Sequence, residues 1–165
     1  MLDKARRFAA AAHEDMMYGQ EPYITHLDAV VTLLEPYGDV AKAIGYLHDV
    51  AEDAEVDIRT LQDEFGEFVA NCVSLMTDEP GKNRRERKKA TYARLKQVKG
   101  KEELALVVSA ADRLANLQAC IAIKNKENEK LLKMYRAEHD AFRDAVYRQD
   151  LCEDLWSRIQ AAIGT

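Results

Sequence analysis

The segment His48-Asp49-Val50-Ala51-Glu52-Asp53 brings one imidazole and three carboxylates together within six residues. On a helix, Glu52 follows His48 by four positions and Asp53 follows Asp49 by four, so the polar groups share one side of a helix end. Carboxylates packed so closely repel one another unless water or a cation intervenes. Acids at a helix C-terminus also oppose the helix dipole. The segment therefore reads either as a frayed acidic helix end or as part of a cation site.

Asp112 is the second chemical signal. It lies in ELALVVSAADRLANLQACIAI, the most apolar stretch of the chain, where an unpaired carboxylate is costly. Its partner is either a cation such as Arg113 or a metal. Asn116 shares its face one turn on and suits either a ligand contact or a buried backbone group. His26 directly follows PYIT; alone it reads as a cap or core residue. Taken together, His26, His48, Asp49 and Asp112 form a mixed nitrogen and oxygen donor set suited to Mn²⁺, Fe²⁺ or Zn²⁺ with positions left for water. His13 is placed in the surroundings of that set, and His139 on the surface.

The elements that must carry these residues are helices. The 165 residues fit one domain, and 47% hydrophobic residues with only 7 Gly and 3 Pro favour long helices over a many-stranded fold. Apolar spacing predicts helices over 2–18, over 26–35 with Thr25 as cap, and from a cap at Asp39 into the HDVAED segment. A further stretch starts at Asp57 and is divided at Gly66. DEPGKN reads as a turn, followed by a helix over 84–98. A central buried helix spans 103–123, KNKENEK is a polar connection, and helices over 129–147 and 150–163 close the chain. No strand is expected.

The net charge of −5 argues against bulk DNA or RNA binding. Yet residues 82–101 hold ten basic residues against the single acid Glu86. This run is either a solvated helix face or a local anion site. Cys72, Cys120 and Cys152 are widely spaced among apolar residues and read as buried thiols of a reducing compartment, not as ligands. No apolar run reaches the roughly 18 residues of a membrane span, so a cytoplasmic protein is expected.

The order His26, His48-Asp49, Asp112 resembles the HD superfamily of metal-dependent phosphohydrolases. EPYITH, YLHDVAED, FGEFVANCVSLMTDE and SAADRLANL resemble successive motifs of the RelA/SpoT-homologue hydrolase domain and its short form, the small alarmone hydrolase. The resemblance covers about residues 5–140. It implies an all-α, compact HD-domain helical bundle, a single domain over 1–165. It also implies hydrolysis of the 3′-pyrophosphate of (p)ppGpp-like nucleotides. By the same resemblance, Mn²⁺ is held by His26, His48, Asp49 and Asp112, while Glu52 and Asp53 activate water. Arg84 and Lys88 then face phosphate, and Asn116 and Tyr135 the nucleoside.

Three positions depart from the family pattern. Met17 and Tyr18 stand where the family usually has an Arg-Lys pair, and Ser109 replaces the Lys of its Lys-Leu-Ala-Asp motif; Tyr18 is left to stack on a base. The alternatives kept open are another HD nucleotide phosphohydrolase (acting on ppApp, NADPH or a nucleoside monophosphate) and a nucleotide-binding HD module without turnover. The expected partner is a small-molecule nucleotide, with homo-oligomerisation left open.

Overall fold

Local sequence signals set most of the helix ends in the computed structural model, which describes residues 1–164. Helix α1 (Leu2–Ala12) is shorter than its apolar pattern suggests and ends at His13. The chain then forms a two-stranded hairpin, β1 (Met17–Tyr18) against β2 (Glu21–Pro22), with Gly19 at φ +61° in the turn. Two residues per strand are too few for a period-2 pattern to register, which is why the sequence shows no strand here.

Helix α2 (Tyr23–Leu33) starts directly after Pro22, so Thr25 lies inside its first turn and is not the cap. Gly38, at φ +89°, turns the chain into α3 (Asp39–Leu47). Asp39 is therefore the first residue of that helix, where an acid suits the dipole, and it does not cap. A break follows at His48-Asp49 before the short α4 (Val50–Asp53).

Asp57 does cap α5 (Ile58–Phe65), its carboxylate accepting the Arg59 N–H at 2.9 Å. Gly66, at φ +91°, separates α5 from α6 (Glu67–Met76). Helix α7 (Arg84–Leu95) opens with reciprocal capping. Asn83 accepts the Glu86 N–H at 3.0 Å, and Glu86 accepts the Lys82 N–H at 3.0 Å. A 3₁₀ turn (Gly100–Glu103) leads into α8 (Leu104–Ala122). Asn125 caps α9 (Lys126–Val146), so most of the expected polar connection is this helix's first turn. Helix α10 (Glu153–Ile163) follows.

Helix α8 packs against α2, α3, α6, α9 and α10. Its Leu106, Leu114 and Leu117 are fully buried, each contributing about 1.5–3 kcal/mol relative to exposure. That packing fixes the rotation of α8 and hence the direction of Asp112. By length and composition alone, residues 100–122 are long and apolar enough to cross a membrane even with Asp112 and Arg113 inside, yet most of the stretch is buried within the protein, as in a core helix.

His139 corrects the surface assignment. It is 8% exposed, and neither ring nitrogen has a hydrogen-bond partner among the described residues. Positions 135, 139, 142 and 146 follow helical spacing, and Tyr135, Phe142 and Val146 are buried beside it on α9. An unsatisfied buried polar group costs about 1–3 kcal/mol. His139→Leu, close in volume, is therefore expected to raise stability by about 1 kcal/mol, read as a higher denaturant midpoint at unchanged m-value. A lower midpoint would show that the imidazole holds a partner.

Candidate metal centre

Four donor residues converge from three parts of the chain. α2 supplies His26, the break between α3 and α4 supplies His48 and Asp49, and α8 supplies Asp112. One ligand atom from each lies within 4.8 Å of all the others. The break is what brings two consecutive residues to one point, since neighbours on a continuous helix diverge by about 100°. Both histidines are 3% exposed, while the Asp49 and Asp112 side chains are 17% and 29% exposed. The imidazoles thus form the floor and the carboxylates the mouth.

The protonation pattern fits a cation at this point. His48 Nδ1 donates to the Gly45 carbonyl at 2.6 Å, which aims Nε2 at Asp49 Oδ2 (3.1 Å) and Asp112 Oδ1 (3.2 Å). That buried Nε2 has no hydrogen-bond partner among the described residues. His26 Nε2 lies 2.9 Å from Asp112 Oδ1 and 4.0 Å from Asp49 Oδ2. Burial opposes charge on His48, but Asp49 and Asp112 outweigh it and hold its pKa well above the ordinary value. Burial likewise works against ionised Asp112, and His48 and His26 hold it well below the carboxylate range. An Nε2 facing two carboxylates calls for positive charge at that point, which a proton supplies without metal and a divalent cation supplies in its place. The donor set fits a metal.

Surrounding groups hold the donors in place. Tyr23 donates to Asp49 Oδ2 at 2.6 Å and stacks on His13 at 4.6 Å. Tyr18 stacks on the His26 ring at 4.5 Å and donates to Asn116 Oδ1 at 2.6 Å. Asn116 in turn donates to Asp112 Oδ1 at 3.2 Å. Gly45 lets α3 approach α2 closely: a Cβ there would sit 2.7 Å from Cδ1 of the fully buried Leu34. Gly45→Ala is expected to destabilise by about 1–2 kcal/mol, overpacking exceeding the gain in helix propensity. An unchanged Tm would show that Leu34 can yield.

Beyond Asp49, the other two acids of the HDVAED segment, Glu52 and Asp53, separate. Glu52 lines a small cleft of about 70 Å³ with His48, Asp49, Asp78, Lys88 and Asp112. It accepts the Asp78 N–H. Burial, with Asp78 and Asp49 nearby, raises its pKa. Lys88 lies 3.0 Å from Asp78. Asp53 instead faces His13 Nε2 at 3.6 Å, which gives His13 its place beside the set.

Arg113 is not the partner of Asp112. Its guanidinium lies 4.1 Å from the Phe142 ring centroid and 4.8 Å from that of Tyr135, and its Nη2 donates to Tyr92 and Glu138. Arg84 is engaged by Glu138 through two hydrogen bonds, of 2.7 and 3.2 Å. Tyr135 is buried, and Ser109 satisfies itself on the Ala105 carbonyl.

Sequence reasoning missed Tyr23, Asp78, Arg94 and Glu138. Tyr23 stands one helical turn before His26 and was legible by spacing. Arg94 ties down the segment carrying Asp78 through the Leu75 and Thr77 carbonyls, a tertiary contact with no local signal. All three cysteines are free and buried, as expected, and Cys72 and Cys152 are raised by burial to about 11 and about 12.

The chain is similar to proteins named guanosine-3′,5′-bis(diphosphate) 3′-pyrophosphohydrolase and to proteins named GTP pyrophosphokinase. It is 31% identical over 141 residues to a Synechocystis sp. protein named probable guanosine-3′,5′-bis(diphosphate) 3′-pyrophosphohydrolase, covering 82% of this chain and 18% of that one. It is 34% identical over 113 residues to a GTP pyrophosphokinase of Streptomyces coelicolor, 67% of this chain and 13% of that protein. The chain spans less than a fifth of the length of these bacterial relatives. With a Xenopus tropicalis guanosine-3′,5′-bis(diphosphate) 3′-pyrophosphohydrolase MESH1 it shares 29% identity over 125 residues, 72% of this chain and 68% of that protein.

In fold it matches the solved structure described as "A metazoan ortholog of SpoT hydrolyzes ppGpp and plays a role in starvation responses". The TM-score is 0.78 at 19% identity, over 99% of this chain and 93% of that one. A family model described as an HD domain matches residues 5–140. With a helical bundle that converges two His and two Asp in the order of that family's motif, the chain belongs to the HD-domain family.

Proposed function

We propose that this chain, read over 1–165 as a single HD-type hydrolase domain, removes the 3′-pyrophosphate of a guanosine-3′,5′-bis(diphosphate)-like nucleotide. A divalent metal, Mn²⁺, would be held by His26, His48, Asp49 and Asp112. The observation that carries the reading is the convergence of these four donors within 4.8 Å, with the buried His48 Nε2 facing the Asp49 and Asp112 carboxylates at 3.1 and 3.2 Å. The pyrophosphohydrolase names of the Synechocystis and Xenopus relatives and the match of the HD-domain model over residues 5–140 support it.

When bound, such a metal lowers the pKa of water and polarises a phosphoryl oxygen. Glu52 accepts the proton of the attacking water, its raised pKa making it a better base than an ordinary carboxylate. Asp53, held by His13, orients the same region from the α1 side. Lys88 lines the cleft and offsets negative charge on the diphosphate as water adds to its phosphorus and the bond to the ribose 3′-oxygen, the leaving group, breaks. Arg84 joins it only by exchanging Glu138 for phosphate. Tyr18, Asn116 and Tyr135 wall the nucleoside side. A cytoplasmic setting accords with three free thiols.

A second reading changes only the base or sugar phosphate. Met17 is 59% exposed and Tyr18 is committed to Asn116, so neither brings a cation to the base. An assay with Mn²⁺ across ppGpp, ppApp, NADPH and nucleoside monophosphates separates the readings. Pyrophosphate release fastest from ppGpp is expected; turnover of NADPH or a monophosphate alone selects the second reading. Binding without turnover of any of them would leave a non-catalytic module.

A further inference from the structure

A cavity much larger than the cleft at the donor cluster lies elsewhere among the described residues. It is a groove of about 810 Å³ between α7 and α9, against about 70 Å³ for the cleft at His48 and Asp112. Its floor is apolar, built from Ala93, Met134, Ala137, Ala141 and Ala145 with one side of Tyr92. Its rim carries Arg84, Arg85, Lys88, Lys89 and Lys96, against two carboxylates, Glu138 and Asp144.

Three of the five cations have partners: Arg84 with Glu138, Lys88 with Asp78, and Lys96 with Asp144. Arg85 and Lys89 have no ion-pair or hydrogen-bond partner among the described residues, and both are exposed. The groove is thus an apolar trough with uncommitted positive charge on its edge, in a chain of net charge −5.

We propose that this groove is a second ligand site, for an organic phosphate of nucleoside diphosphate size. The phosphates would meet Arg85 and Lys89, and the base and sugar would lie over the alanine floor beside Tyr92. The volume falls within the roughly 300–1,000 Å³ of small-molecule sites, which pair apolar walls with a few placed polar groups. An inorganic anion would leave the floor unused, and an uncharged ring would leave the cations unused; both parts are needed. Lys88 and Tyr92 line the groove and the metal-side cleft alike, so an occupant would touch the helix that walls the catalytic side.

The methionines separate the two spaces, since Met134 lines the groove and Met76 the cleft. With methyl-¹³C-methionine in the full chain, ADP is titrated and the two methyl signals are followed by NMR. Met134 is expected to report a binding event with its own dissociation constant. Adenosine and inorganic pyrophosphate should each bind there at least tenfold more weakly.

The Arg85→Glu, Lys89→Glu double variant should weaken the Met134 response at least tenfold and leave the Met76 response and hydrolytic kcat unchanged. Ala141→Trp, which fills the trough, should abolish the Met134 response by a different route. Three results would overturn the proposal. The first is no Met134 response to ADP. The second is Met76 and Met134 moving together at one equivalent, which would mean a single extended site. The third is pyrophosphate binding as well as ADP, which would mean that the floor plays no part.

Discussion

Asp49→Ala is expected to lose metal and activity together, whereas Glu52→Gln keeps the metal and loses activity. Asp49 supplies one of two carboxylates facing the His48 Nε2, and deleting it leaves three donors and half the negative charge. Glu52 stands outside the four-donor set, on the cleft beside Asp78. A glutamine there still accepts the Asp78 N–H but cannot take a proton from water, and loss of a general base typically lowers rate by about 10²–10⁴-fold. Metal content by elemental analysis is measured beside kcat. Asp49 also accepts the Tyr23 hydroxyl at 2.6 Å, so circular dichroism should accompany the assay to show that Asp49→Ala remains folded. Equal metal loss in both variants would move Glu52 into the ligand set and overturn its role as base.

Base selectivity should be weak in the native chain and should rise when a cation is restored beside the site. Met17 is exposed at the hairpin and can be replaced without disturbing the core. Tyr18 is less free, because its ring covers His26 and its hydroxyl holds Asn116. Met17→Arg alone, and Met17→Arg with Tyr18→Lys, therefore test different things. A charge-assisted hydrogen bond contributes about 1.5–3 kcal/mol, roughly tenfold to a hundredfold in affinity.

The kcat/KM ratio of ppGpp to ppApp is expected to stay within about tenfold in the native chain and to rise by about tenfold in Met17→Arg. The double variant should gain selectivity but lose kcat, as Asn116 and Asp112 lose their brace. A strong guanine preference in the native chain, unchanged by Met17→Arg, would place base reading elsewhere, around Asn116 and Tyr135.

The donor set was legible because each member breaks a local rule. Asp112 interrupts an apolar helix, and the acids of HDVAED crowd a helix end; such conflicts with propensity are where function resides. Their convergence was not readable from spacing, since it depends on the break at His48-Asp49 and on how α8 rotates against α2 and α3. The resemblance to HD phosphohydrolases supplied that step.

Helix existence followed from apolar spacing. The ends were less certain where the competing signal was weak. The hairpin at Met17–Tyr18 and Glu21–Pro22 is held by the Gly19 turn, and α9 begins early because Asn125 caps it. His139 was misassigned because a lone polar residue on a charged helix looks exposed until the Tyr135, Phe142, Val146 face is traced. The basic run divided in a way charge alone could not show. Arg84 and Lys88 are paired with acids from other segments, while Arg85 and Lys89 remain uncommitted.

The central claim is that one divalent ion sits among His26, His48, Asp49 and Asp112. The most direct test is an anomalous difference map from crystals of the full chain grown with Mn²⁺, recorded at the manganese edge. A single peak per chain, in contact with all four residues, is the predicted result. A peak elsewhere, or a metal-loaded and active protein whose His48 and Asp112 do not touch the ion, would contradict it.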